Sequence, residues 1–299
     1  MNSQGPITIV FYTLQMFGWT GCLIVLTTAL VSYHIPRQLT WYSFVFSWLI
    51  STTSYSLLLL AGSSDIPNPN YGLCLTQATL IYACPPLTAG TTVLLVLQAY
   101  LNVRGSAGKL SVWWHRNTIK LLLGIPYLIH ASICVAWLIV GVKNPSVVHR
   151  APGAPYCTLL LRTPSKISSI IVTVLLAVMV VLQGAIFFTL RKNWSLYKGS
   201  IVRVLIFAAV GMSAVAAGVV CAVKKQSVSQ DLDYDVALAI LPAAAVLIFG
   251  SQRDLFQVWM FWKKKEAEGD TRAFIWSSGS LQVRRDKNCS SPTSVSSES

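Results

Sequence analysis

The sequence predicts an all-α membrane protein, a bundle of seven transmembrane helices followed by a short interfacial helix. Three observations predict it. The chain is 54% hydrophobic and only 11% charged, where a soluble domain carries about 25% charged residues, and its mean hydropathy is +0.59. The apolar residues fall in separated runs of roughly 20, the length of helix that crosses a bilayer core of about 30 Å. These runs neither alternate in polarity nor stop at roughly 10 residues as barrel strands do, so helices remain as the way to pair every backbone N–H and C=O in hydrocarbon.

The expected spans are residues 7–32, 41–62, 73–103, 119–142, 167–190, 201–223 and 234–250. Residues 1–6 contain no Lys or Arg, whereas a cleaved signal peptide wants a positive n-region, so the first run is expected to be a retained helix. Orientation follows from the basic residues between spans. Seventeen of the 23 Lys and Arg residues fall on one side. They include Arg37, Arg104, Lys109, Arg116, Arg191, Lys192, Lys198 and Arg203, and the series from Arg253 through Lys263, Lys264 and Lys265 to Lys287. The other six are Lys143, Arg150, Arg162, Lys166, Lys224 and Lys225, accompanied by Asp65, Asp231, Asp233 and Asp235. The first side is therefore expected to be cytoplasmic, with residues 1–6 outside the cell and the C-terminus inside.

The loops are short except 143–165, whose Pro145, Pro152, Pro155 and Pro164 suit an extracellular lid rather than a domain. In 251–265, Leu255, Phe256, Val258, Trp259 and Trp262 recur at helical spacing beside Arg253, Gln257 and the run Lys263–Lys265. That pattern predicts an amphipathic helix along the inner leaflet, with an overrun of the last span as the simpler alternative. Residues 266–299 are Ser-rich and polar, with too few apolar groups to fold, and are expected to form a disordered cytoplasmic tail.

The net charge of +13 could suggest a nucleic-acid binder, but charges placed between apolar spans fit membrane topology instead. No nucleic-acid partner is expected; the bilayer itself is. Ion pumps and proton-coupled carriers need charged groups within the bilayer. Here His130 is the only ionisable residue well inside a span apart from Tyr and Cys, and Asp235 sits near an outer mouth. A lone His more often hydrogen-bonds between helices. No catalytic constellation, metal-ligand set or cofactor site is evident, so the chain is not expected to be an enzyme. The seventh span lacks the Lys of a retinal Schiff base.

Of seven cysteines, Cys22, Cys84 and Cys134 lie within spans and Cys289 in the reducing cytoplasm. Cys74 and Cys157 are both external, and a bridge between them would fasten the lid over the bundle. Cys221, near the outer end of the sixth span, is the competing partner, and three free thiols are the remaining alternative. Pro85, Pro86, Pro126 and Pro242 interrupt spans and can kink them. Gly211, Ala214, Ala216, Ala217 and Gly218 form a small-residue surface suited to close helix packing.

Seven spans, an external N-terminus, Cys74 at the head of the third helix, Cys157 in the next external loop and an interfacial helix after the seventh span resemble G-protein-coupled receptors. Gln98, Ala99 and Tyr100 stand where the rhodopsin class carries an acidic-Arg-aromatic triplet, and Leu241, Pro242 and Ala243 to Ala245 where it carries Asn-Pro-x-x-Tyr. The stretch from Pro242 through Phe249, Gly250, Ser251, Gln252, Arg253 and Asp254 is similar to the end of helix seven in fungal pheromone-receptor-like and related fungal seven-helix proteins. The resemblance implies a plasma-membrane receptor that senses a small molecule or short (lipo)peptide, since only about six residues precede the first span. It implies a heterotrimeric G protein as partner. The basic inner surface of Arg104, Lys109, Arg116, Arg191, Lys192, Lys198 and Arg203 is then the expected docking site, lipid headgroups being the alternative use of those charges. A small neutral-solute transporter or facilitator is the second functional class, since neutral cargo needs no buried charge. Transporters usually contain internal repeats, and the first and last three spans do not match convincingly.

Overall fold

A computed structural model describes residues 6–31, 37–64, 66, 69–105, 119–151, 154–190, 206–207, 209–211 and 228–251. These are mostly helical. Helix α1 spans Pro6–Val31, α2 Leu39–Tyr55, α3 Tyr71–Gly105, α4 Gly124–Lys143, α5 Arg162–Leu190 and α6 Val228–Gly250. Four stretches among the described residues are long and apolar enough to cross a membrane: Thr8–Val31, Tyr71–Asn102, Ile119–Lys143 and Arg162–Thr189.

The other expected spans differ for identifiable reasons. In place of a continuous 41–62 helix, α2 stops at Tyr55, Ser56 leaves helical geometry at ψ 7°, and a single turn, Leu57–Leu60, follows. The seventh element is helical from Val228, but its first residues are polar and its apolar part is Leu238–Gly250. The expected sixth span lies outside the described residues except at 206–207 and 209–211, as do 1–5, the interfacial helix beyond Ser251 and the whole of 266–299. Helix α5 begins at Arg162, five residues before the apolar run, with Pro164 in its first turn where a missing N–H costs nothing.

The loop between α4 and α5 is correspondingly shorter than 143–165. It holds a 3₁₀ turn at Pro145–Val147 and a two-stranded antiparallel hairpin, β1 (Val148–His149) and β2 (Thr158–Leu159), with Val148 opposite Leu159 and His149 opposite Thr158. The hairpin is a local addition to a helical fold.

Helix α3 is the centre of the bundle. It packs against α2, α4 and α5, while α1 packs against α2 and α6. In the most apolar 18-residue stretch of each helix, 67% of residues are buried in α3, against 17% in α4 and 11% in α5, so α3 is the most enclosed of the three. Both Pro85 and Pro86 lie inside α3, which runs on as one helix through them.

Several hydroxyl groups that would be costly if unpaired in an apolar interior are tied across or along helices, although the buried Ser56 hydroxyl has no partner among the described residues. Ser47 meets Thr91 at 2.7 Å and Ser43 meets Tyr127 at 2.9 Å. Thr40 donates to Gln98, which places the first residue of the Gln98–Ala99–Tyr100 triplet against α2. Among the described residues, glycines of α1 provide close backbone approach; the Gly211–Gly218 surface lies outside them apart from Gly211. A Cβ on Gly18 would stand 2.8 Å from Cβ of Pro242, and one on Gly21 would overlap the side chain of Val246. Beyond those contacts, Phe44 and Trp48 of α2, Phe207 and Phe249 form an aromatic cluster with ring centroids 4.8–6.3 Å apart.

Candidate functional site: a latched loop over an aromatic box

The α4–α5 loop is fastened to the bundle in three ways. The covalent tie is a disulfide between Cys74, in the first turn of α3, and Cys157. Cys22, Cys84 and Cys134 are free, and Cys221 lies outside the described residues. The second tie is Gln77, one turn after Cys74 and fully buried. Its Oε1 accepts the Cys157 N–H at 3.0 Å, and its Nε2 donates to the carbonyls of Ser54 (3.2 Å) and Tyr55 (3.3 Å). Those carbonyls lie at the point where α2 breaks, so one amide closes both the helix end and the loop backbone. The third tie is a set of side-chain bonds. Tyr12 donates to the Pro155 carbonyl, and Arg150 spans the Ala154 and Ile66 carbonyls at 2.9 and 3.0 Å.

These ties press Tyr156 into the end of the bundle. Its ring centroid stands 5.9 Å from Phe11 and 5.6 Å from Tyr55, and Phe11 and Tyr55 are 6.2 Å apart. Rings at these separations and mostly edge-on contribute about 0.5–1.5 kcal/mol per pair beyond their buried area. The box therefore joins α1, α2 and the loop. Ala239 brings α6 into the same apolar cluster.

One turn after Phe11 on α1 comes Gln15. It is 1% exposed, and its Oε1 has no hydrogen-bond partner among the described residues. An orphaned buried acceptor costs about 1–3 kcal/mol. His130 in α4 has a less exacting environment: it is only partly buried, its Nε2 lies 3.7 Å from Cys134 Sγ, and its Nδ1 is without a partner among the described residues. Among those residues, no group of three His, Cys, Asp or Glu side chains is placed to hold a metal ion.

The expected docking residues are not brought together by the described structure. Arg104 falls in the last turn of α3, its side chain outside the described residues, and Lys109, Arg116, Arg191, Lys192, Lys198 and Arg203 are outside them altogether. Asp235 lies within α6, with its side chain likewise outside. Sequence reasoning found the cysteines and missed Phe11, Tyr12, Gln15, Tyr55, Gln77 and Tyr156. Gln15 and Gln77 carried a usable signal, since each is a lone amide in an apolar run. The tyrosines carried none, because their meeting depends on where the loop is tied. Comparison with known proteins adds no identity: the chain matches no known family model, and no curated protein matches it.

Proposed function

We propose that the chain is a seven-helix receptor of the plasma membrane, similar in architecture to G-protein-coupled receptors, with the latched loop outside the cell and the C-terminus in the cytoplasm. Its ligand is a small molecule or short peptide, and its cytoplasmic partner a heterotrimeric G protein. The observation that carries this reading is the mechanical continuity of α3. Its 35 residues extend about 50 Å at 1.5 Å per residue. One end holds Cys74 and Gln77 under the loop, and Gln98 near the other end engages Thr40 of α2. A ligand that displaces the loop acts on the same helix whose far end is bonded to α2. Packed interfaces of this kind respond by switching between arrangements rather than by bending smoothly.

Coupling is tested at the basic residues. Reversing the charge at Arg191 and Lys192 to Glu should weaken signalling at least tenfold while changing ligand affinity less than twofold, because in the proposed topology they lie a membrane's thickness from the loop. Surface level and topology of the variant are measured first, since charge near the bilayer sets helix orientation. A correctly inserted variant with unchanged signalling removes the docking role from these two residues.

A further inference from the structure

Phe11 of the aromatic box and the buried amide of Gln15 belong to one face of α1. Phe11, Tyr12 and Gln15 are spaced i, i+1 and i+4 on α1, and all three are buried. Gln15 follows Phe11 by four residues and so shares its face one turn along, and helical side chains lean toward the N-terminus of their own helix, which here is the end covered by the loop. Tyr156 is the ring of the box carried on a loop and not on a helix, and its neighbours Pro155 and Cys157 are the residues by which that loop is tied to the bundle. Two aromatic rings on helices, a third brought to them by a loop, and a buried unpaired acceptor one turn along the same helix make the pattern of a small-molecule site, apolar walls with one placed polar group.

We propose that the ligand's aromatic ring takes the place of the Tyr156 ring against Phe11 and Tyr55, and that Gln15 Oε1 accepts a hydrogen bond from a donor carried about one helical turn deeper. The ligand class is a small, neutral molecule with an aromatic ring and a hydroxyl or amide N–H on a short arm. The role of the site rests on the receptor reading above; its chemistry does not. Tyr156 competes with the ligand, so occupation of the box displaces the Tyr156 ring from it.

The test uses the full chain in lipid nanodiscs and two probes, 2-phenylethanol and its methyl ether, which share a ring and an oxygen but differ in the donor. Thermal shift is followed against probe concentration. Tyr156→Ala protein should bind 2-phenylethanol more tightly than the native chain does, and about tenfold more tightly than it binds the ether, the discrimination one hydrogen bond supplies. In Tyr156→Ala with Gln15→Leu the two probes should bind equally. Equal binding before the Gln15 change, or a preference that survives it, overturns the proposal. If Tyr156→Ala does not fold, Gln15→Cys in an otherwise native chain replaces it. An external thiol reagent should then modify that protein faster than the parent, and 2-phenylethanol should slow the reaction. A rate equal to the parent's shows that the site never opens and overturns the proposal equally. Specific binding with no cytoplasmic response would leave the subsite standing and count against the receptor reading instead.

Discussion

Gly18→Leu is expected to lower the stability of the purified bundle by about 3 kcal/mol, the upper part of the usual range for overpacking. The absent side chain of Gly18 lets α1 lie against the Pro242 ring, with Thr52 of α2 also within 3.3 Å of the missing Cβ. Proline cannot rotate out of the way as a long side chain would, so the accommodation has to come from separation of α1 and α6. That contact is a main support for α6, since α2 meets α6 far less extensively. Gly184→Ala in α5 is the control: an added Cβ meets nothing within 4 Å among the described residues, and the helix-propensity gain of about 1 kcal/mol should raise stability. Thermal unfolding of the two variants should therefore shift in opposite directions. A neutral Gly18→Leu would mean that α1 and α6 do not approach as described.

Cys157→Ser should cost about 2–4 kcal/mol, the usual contribution of a native disulfide, and release the loop. The buried position of Cys157 adds to the effect, because its N–H is satisfied only while the loop stays against Gln77. Gln77→Leu separates the two contributions: the disulfide stays, but the Cys157 N–H and the carbonyls at the α2 break lose their partner. Amide exchange at Cys157 should accelerate in both variants, and more in Cys157→Ser. Unchanged exchange in Gln77→Leu would show that the disulfide alone holds the loop.

Much of the helical frame was legible because hydropathy and length are local properties. Apolar runs announced α1, α3 and α4 to within a few residues of their ends. The start of α5 was misread because Arg162 and Lys166 are polar, although Thr163 and Pro164 are good first-turn residues. The break at Ser56 was invisible, since 41–62 reads as one apolar run and the interruption is stabilised from another helix by Gln77. Close packing was expected where small residues cluster, at Gly211–Gly218. In α1 it depends on two glycines three apart facing Pro242 and Val246, a pairing fixed only once α1 and α6 are neighbours. The disulfide could be inferred from the sidedness of charges, whereas the aromatic box could not. Residues as distant in sequence as Phe11 and Tyr156 share no local pattern.

The receptor reading and the carrier reading part at the cytoplasmic face. The most direct measurement is G-protein dissociation in a heterologous cell expressing the full chain, challenged with a panel of neutral aromatic alcohols, amides and short peptides and compared with cells lacking the protein. The account predicts a saturable, concentration-dependent response that requires the protein. It also predicts that the same compound is not transported by the purified protein in sealed liposomes. Saturable uptake of a bound compound, with no dissociation in the cell, would contradict it.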